Sequence, residues 1–328
     1  VKERGHAERG GALLTVLLLV AVISVLAVAA LEQLRLSTRL AANGAAIDQA
    51  RAYALAAEAM TLDRMGVLAG RDTGKTTLAG GWNGRAFAVP LPEGIVSATL
   101  FDGGNCFNLN SVAEGLLAGD YAPRELGIRQ FIALMEALGI DPTDSRRVAA
   151  SLADWIDADA APNPDGAEDD FYLQSATPYR AANTLLGDVS ELRAVAGVTP
   201  EIYRLLRPWV CVLPNTDLSP ININTLAMDQ APLIAMLMPQ RIDLNRARQI
   251  LAQRPADGWN SSVDFWNLFT ARGDTPDMEA MSQVSLRTRW FRLELDVEIG
   301  GAQLSETALI DGALAPARIV ARSWGSDE

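Results

Sequence analysis

The sequence predicts an α+β fold built on one membrane-crossing helix, and three observations lead there. An uncharged apolar run near the N-terminus continues without a turn signal into an Ala-rich helical stretch. Segments of β-type composition follow that stretch and recur at the C-terminal end. Between them lies a long region of short helical patterns, which reads as a large inserted all-α domain.

The first element is the longest. Gly11 to Leu31 is 21 residues without a charge, and at about 1.5 Å per residue such a helix spans a ~30 Å hydrocarbon core. Beyond it Glu32, Arg35 and Arg39 belong in water, while Leu36, Leu40, Ile47 and Ala54 keep a helical spacing to about Met65. The spacing predicts one helix of about 80 Å, half in lipid and half out. An ordinary single-pass anchor followed by an unrelated helix is the competing reading, but an anchor has no need to run on without a break.

What precedes the helix matters as much. Lys2, Arg4 and Arg9 lead into Gly10 and Gly11, and the apolar run begins at once. A secretory signal is cut beyond its apolar core, so this arrangement is not one. The stretch "RGGALLTVLL" resembles the leader of type IV pilin-like proteins, which a prepilin peptidase cuts after a glycine on the cytoplasmic side. More narrowly it resembles the type II secretion minor pseudopilins of the general secretion pathway protein K family. The resemblance implies a leader of residues 1–10 cut after Gly10, with Gly11 as the first mature residue; a cut after Gly11 is the variant.

Most of the wider family carries Glu as the fifth mature residue, where this chain has Thr15. A carboxylate inside a bilayer is costly unless paired. In the family it is thought to pair with the terminal amine of a neighbouring subunit, and a subunit that enters first has no predecessor. By resemblance, then, the chain is a pseudopilus-tip subunit of the bacterial inner membrane, single-pass, with its bulk in the periplasm. The implied partners are other minor pseudopilins, the major pseudopilin, prepilin peptidase and the inner membrane.

Composition excludes several alternatives. A formal net charge of −12, with Lys2 and Lys75 the only lysines, argues against nucleic acid, which needs a basic surface. The single histidine, His6, falls in the leader, so imidazole-based catalysis and His-ligated zinc are excluded from the mature chain, and no catalytic residues are assigned. The stretch "GRDTGKT", Gly70 to Thr76, has three residues between its glycines where a phosphate-binding loop needs four, and a turn-rich stretch follows it. It reads as a plain loop.

The stem and first strands occupy 32–107, with "RAFAVPL" and "GIVSATLFD" as the strands. At the other end, in 277–328, Trp290 to Ile299 alternates: Phe291, Leu293, Leu295, Val297 and Ile299 on one face, charged residues on the other. Gly300-Gly301 turns the chain, and "AQLSETALI" and "ARIVARSW" return as partners. A sheet assembled from both ends and packed on the exposed half of a long helix is the pilin-like arrangement. The insertion divides into 108–213 and a second module, 214–276. "NLNSVAEGLL" at Asn108 and "NINTLAMDQAPLIAML" at Asn222 echo each other, with Asn, Ser and Thr placed as N-caps ahead of helical patterns. Short helices such as "TPEIYRLLRPWV" resemble helix-hairpin-helix or SAM-like modules, and the acidic balance speaks against DNA as their ligand.

The most chemical stretch is "DWIDADAAPNPDGAEDDFY", Asp154 to Tyr172, with seven acids and no base. Carboxylates this close repel unless a cation joins them. Counted from Asp157, the positions of Asp159, Asp165 and Glu168 match liganding positions of a calcium loop, but Pro162 stands where an EF-hand needs Gly. An irregular oxygen-rich site for one or two Ca²⁺ ions is expected instead, and the segment resembles the acidic Ca²⁺-binding segment of the K family. First-choice ligands are Asp157, Asp159, Glu168 and Asp169, with Asp165 and Asp170 next. A solvated acidic loop is the alternative; Trp155, Ile156, Phe171 and Tyr172 argue against it by tying both loop ends to a core. Cys106 and Cys211 flank the first module and are either bonded or two buried thiols. The functional runner-up is a membrane-anchored periplasmic hydrolase using the acidic loop as a metal-dependent site.

Overall fold

The computed structural model describes residues 7–325 other than 93, 118 and 272. Residues 1–6 of the expected leader therefore lie outside the described residues. Helix α1 (Ala7–Arg71) is continuous, as its turn-free sequence requires, and ends six residues beyond Met65. Its most apolar window has a mean hydropathy of 3.0 and none of it is buried. From Gly11 to Ala45 the helix is exposed, Ala46 is partly covered, and full burial begins at Ala50. From there Ala50, Ala54, Ala57, Thr61 and Met65 form a buried stripe at helical spacing, and three alanines in it let the sheet approach closely.

That sheet is made from the two ends of the soluble part. Strands β1 (Ala86–Leu91) and β2 (Gly94–Asp102) precede the insertion. The short β3 (Phe107–Asn108), β4 (Ala113–Glu114), β5 (Ala122–Pro123), β6 (Val210–Cys211), β7 (Ile221–Asn222) and β8 (Val284–Ser285) lie within it. Then β9 (Trp290–Ile299), β10 (Ala302–Asp311) and β11 (Arg318–Trp324) complete the sheet in the order β1-β2-β9-β10-β11, antiparallel throughout. The alternation read in β9 holds: Leu293, Leu295, Val297 and Ile299 are buried against α1. Phe291 is only partly covered, while Trp290 on the opposite face is buried beneath the Arg289 guanidinium. Gly94 is required where β2 meets β9, since a Cβ there would lie 1.8 Å from the Glu298 carbonyl oxygen.

The sheet has a near and a far end relative to the apolar half of α1. The β9–β10 turn is near, with Gly300 beside Ala46. Asp102, Trp290 and Asp311 are far, and it is from there that the chain leaves for the insertion and returns. The insertion thus sits on the end of the sheet remote from the apolar segment.

Within it, helices α2 (Glu125–Ala137), α3 (Pro142–Ile156), α4 (Asp169–Tyr172) and α5 (Pro200–Leu206) form the first module. The second holds α6 (Ala231–Ala235), α7 (Leu244–Leu251), α8 (Ser262–Thr270) and α9 (Met278–Gln283). Both modules share one core, running from Phe107 and Phe131 through Ile156 and Leu206 to Ile234 and Phe265. Each is bracketed by a parallel two-residue ladder, β3 with β6 and β7 with β8. At the first, Cys106 and Cys211 form a disulfide with Cα atoms 5.8 Å apart.

The asparagine echo proves to be structural repetition of a kind the capping pattern does not describe. Asn108 does cap a turn, its Oδ1 accepting from Asn110 N at 3.2 Å, but the residues after Val112 form β4 and a loop, not the helix expected from "AEGLL". The second asparagine of each motif binds distant backbone. Asn110 accepts from Leu186 N at 2.8 Å and donates to the carbonyls of Leu186 and Leu213. Asn224 likewise accepts from Trp259 N at 2.7 Å and donates to its carbonyl. The "GRDTGKT" stretch is a loop: Lys75 Nζ donates to the Asp257 carbonyl at 2.8 Å and to Asn260 Oδ1 at 2.7 Å, pinning the stem to the second module.

Candidate metal centre

The acidic loop starts where α3 stops. Asp141 caps that helix, accepting from Thr143 N at 2.7 Å, with Pro142 in its first turn. Val148, Leu152, Trp155 and Ile156 are buried on the core, and the polar turn beginning at Asp157 ends it. The loop closes at α4, where Tyr172 is buried against Trp155, ring centroids 5.2 Å apart, and its hydroxyl accepts from Ala196 N at 3.2 Å. Ala158 N donates to the Tyr121 carbonyl at 3.0 Å, fixing the start of the loop to the residue before β5.

Between these anchors the fold gathers Asp157, Asp159 and Glu168, whose nearest carboxylate oxygens all lie within 4.8 Å of one another. Asp157 and Glu168 are buried, and Asp159 is exposed. Both oxygens of Asp157 and Oε1 of Glu168 have no hydrogen-bond partner. Burial, reinforced by the neighbouring charges of Asp159 and Asp154, pushes the Asp157 carboxyl up to about 7. Burial, then the charges of Asp157 and Asp154, pushes Glu168 up to about 7 as well. Orphaned buried carboxylates are costly unless a proton or a cation satisfies them. An oxygen-only, irregular donor set of this kind fits a hard divalent cation such as Ca²⁺.

The remaining expected ligands do not join this cluster. Asp169 turns away: it forms an ion pair with Arg180 and accepts from Ala181 N at 3.1 Å. Asp165 is exposed at a left-handed turn (φ 68°), and Asp170 is exposed at the start of α4. In this structure Asp165, Asp169 and Asp170 thus lie outside the group formed by Asp157, Asp159 and Glu168.

One acid of the loop was passed over. Asp154 is fully buried and organises the loop: its Oδ1 accepts from Asn163 N at 3.0 Å and from Asn163 Nδ2 at 2.5 Å. Gly166 packs so closely on it that a Cβ there would sit 2.0 Å from Asp154 Oδ2. Its burial raises the Asp154 carboxyl despite these bonds. The signal that could have found it is position: Asp154 shares the buried face of an amphipathic helix, where an acid needs a reason.

A cavity of about 930 Å³ lies elsewhere, at the junction of stem, sheet and second module, lined among others by Trp82, Lys75, Arg254, Phe291 and Leu314. None of the acidic-loop residues lines it. Where processing is expected, Gly11 has open space around it, and the Thr15 hydroxyl donates to its own helix at the carbonyls of Gly11 (3.2 Å) and Ala12 (2.9 Å).

Known proteins resemble this chain over nearly its whole length. The family model for type II secretion system protein K matches in two parts, residues 105–215 and 221–287. Protein K of Klebsiella pneumoniae is 35% identical over 98% of this chain and 97% of its own length. The Pseudomonas aeruginosa protein K is 31% identical over 98% and 94%, and that of Pectobacterium carotovorum subsp. carotovorum 30% over 97% and 97%. A chain in the crystal structure of the GspK-GspI-GspJ complex from enterotoxigenic Escherichia coli superposes with a TM-score of 0.73 at 31% identity. The match covers 85% of this chain and 97% of that one.

Proposed function

This chain belongs to the type II secretion system protein K family, the K-type minor pseudopilins, and from that premise we propose that it sits at the tip of a periplasmic pseudopilus. In this reading it is held in the bacterial inner membrane by the apolar half of α1, with the rest of the chain in the periplasm. Prepilin peptidase removes the leader after Gly10, and the chain assembles with I- and J-type minor pseudopilins ahead of the major pseudopilin. The observation that carries the proposal is the placement of the insertion. A subunit with a large domain on the end of its sheet remote from the membrane segment suits a position with nothing stacked above it. The crystallised relative, a GspK-GspI-GspJ complex, supports the choice of partners.

Its role is assembly, not catalysis. The large cavity and the acidic cluster occupy different places, which favours assembly over a metal-dependent hydrolase, whose site would lie in a substrate cleft. Asp157, Asp159 and Glu168 would hold Ca²⁺. The ion supplies positive charge that satisfies carboxylates otherwise left buried and unpartnered. Asp154 and Asn163 keep the loop in shape around them.

Co-expression of the full chain with I- and J-type subunits and prepilin peptidase tests the proposal. The expected result is a chain shortened by about ten residues, purifying in a stoichiometric ternary complex from detergent-solubilised membranes. An unshortened chain that purifies alone would overturn it.

A further inference from the structure

Where α1 lies on the sheet, three charged side chains meet. Glu58 of α1 and Glu306 of β10 are both buried, and Arg322 of the edge strand β11 reaches them. Its Nε donates to Glu58 Oε1 at 2.7 Å and to Glu306 Oε1 at 3.0 Å, and its Nη2 donates to Glu58 Oε2 at 2.7 Å. Glu306 Oε2 is buried without a partner. Among the described residues no further charged side chain is hydrogen-bonded or ion-paired to the group. Across the strands Glu306 is opposed by Leu295 on β9 and Trp324 on β11, and Asp48, Arg51, Asp63 and Arg64 of α1 are exposed.

Two buried carboxylates therefore share one guanidinium, and with both ionised the site would hold an uncompensated negative charge, a strongly unfavourable state at such depth. We propose that Glu58 and Glu306 hold a single proton between them, and that losing it loosens α1 from the β10–β11 edge, so that the seam acts as a pH-sensitive clasp. The proton resides on Glu306. Burial, then the hydrogen bond and charge of Glu58, push its carboxyl up to about 8. At Glu58 burial acts in the same upward direction, but the bonds to Arg322 and Glu306 outweigh it and hold that carboxyl below its ordinary value. The sign follows from linkage: a carboxyl raised in the folded state binds its proton more tightly there than when unfolded. Its stabilising contribution is complete below the unfolded carboxyl range and is lost as pH rises through about 8. The clasp is closed in neutral surroundings and opens in alkaline ones.

The test uses the full chain in detergent micelles, with melting temperature and amide exchange of β11 followed as pH is raised across the expected step. Each variant is read as its difference from the wild type, so that other titrating carboxyls cancel. Glu306→Gln keeps a neutral donor and should remove the step while leaving the melting temperature on the acid side unchanged. Glu58→Gln leaves Glu306 as the one acid facing Arg322, so the step should move to lower pH. In the wild type, exchange in β11 should accelerate above the step. Profiles parallel to the wild type in whichever variant folds, or β11 exchange indifferent to the step, would overturn the clasp.

Discussion

At the scale of single residues, the acidic loop separates two kinds of carboxylate. Some have a partner inside the fold, Asp154 on Asn163 and Asp169 on Arg180. Those with none, Asp157 and Glu168, are what a cation would satisfy. Calcium binding should therefore be lost in Glu168→Gln, with calorimetric titration showing at least a tenfold weaker association. Without calcium, the raised carboxyls reverse the usual acid sensitivity. Asp157 and Glu168 bind protons more tightly folded than unfolded, so the metal-free chain should lose melting temperature as pH rises from about 5 through about 7. Saturating calcium should flatten that fall, because the ion takes the place of the protons; a metal-free profile that rises over this range would contradict the assignment. The cluster was legible in sequence because acids framed by Trp155 and Tyr172 have to converge. Which acids converge was not, since the Arg180 that withdraws Asp169 lies eleven residues away and returns only through the folded loop.

At the scale of elements, the paired motifs "NLNS" and "NINT" were visible as a repeat, while their work was not. Capping is a local rule that describes the first asparagine of each motif, whereas the second acts over 35 to 103 residues. Each fastens a loop of its own module by both edges of one amide, a use that no spacing in the sequence encodes. Asn224→Ala would leave the N–H and carbonyl of Trp259 unpaired in a buried site, and at roughly 1–3 kcal/mol for each unsatisfied group the cost should be about 2–5 kcal/mol. Urea unfolding followed by tryptophan fluorescence checks it, and a loss below about 1 kcal/mol would mean that water replaces the amide. The long strands were read correctly because alternation is strong where one face is covered. The two-residue ladders were missed because two residues carry no period at all.

At the scale of the whole molecule, α1 has two unequal halves. About 50 Å of it, from Gly11 to Ala45, is exposed along its whole length, and Leu34, Leu36 and Leu40 remain exposed beyond the uncharged run. Such a rod is complete only against neighbouring helices or lipid. With its hydroxyl satisfied inside its own helix, Thr15 makes no demand on a preceding subunit. Thr15→Glu adds a carboxylate that does: membrane insertion should persist while secretion through the assembled system falls several-fold, measured as exported cargo at equal levels of the chain. Undiminished export would show that the fifth position is indifferent here. The far end of the sheet has a mechanical corollary. Both tethers of the insertion leave from β2 and β9, neighbours that end side by side at Asp102 and Trp290. A thrust or pull on the insertion along the strands therefore moves those two together, and the rungs between them carry no shear. The load passes outward to the β1–β2 and β9–β10 ladders and the alanine seam of α1, where many bonds resist at once. The inserted domain is thus joined to the sheet by a pair of strands that a force along their length does not peel apart.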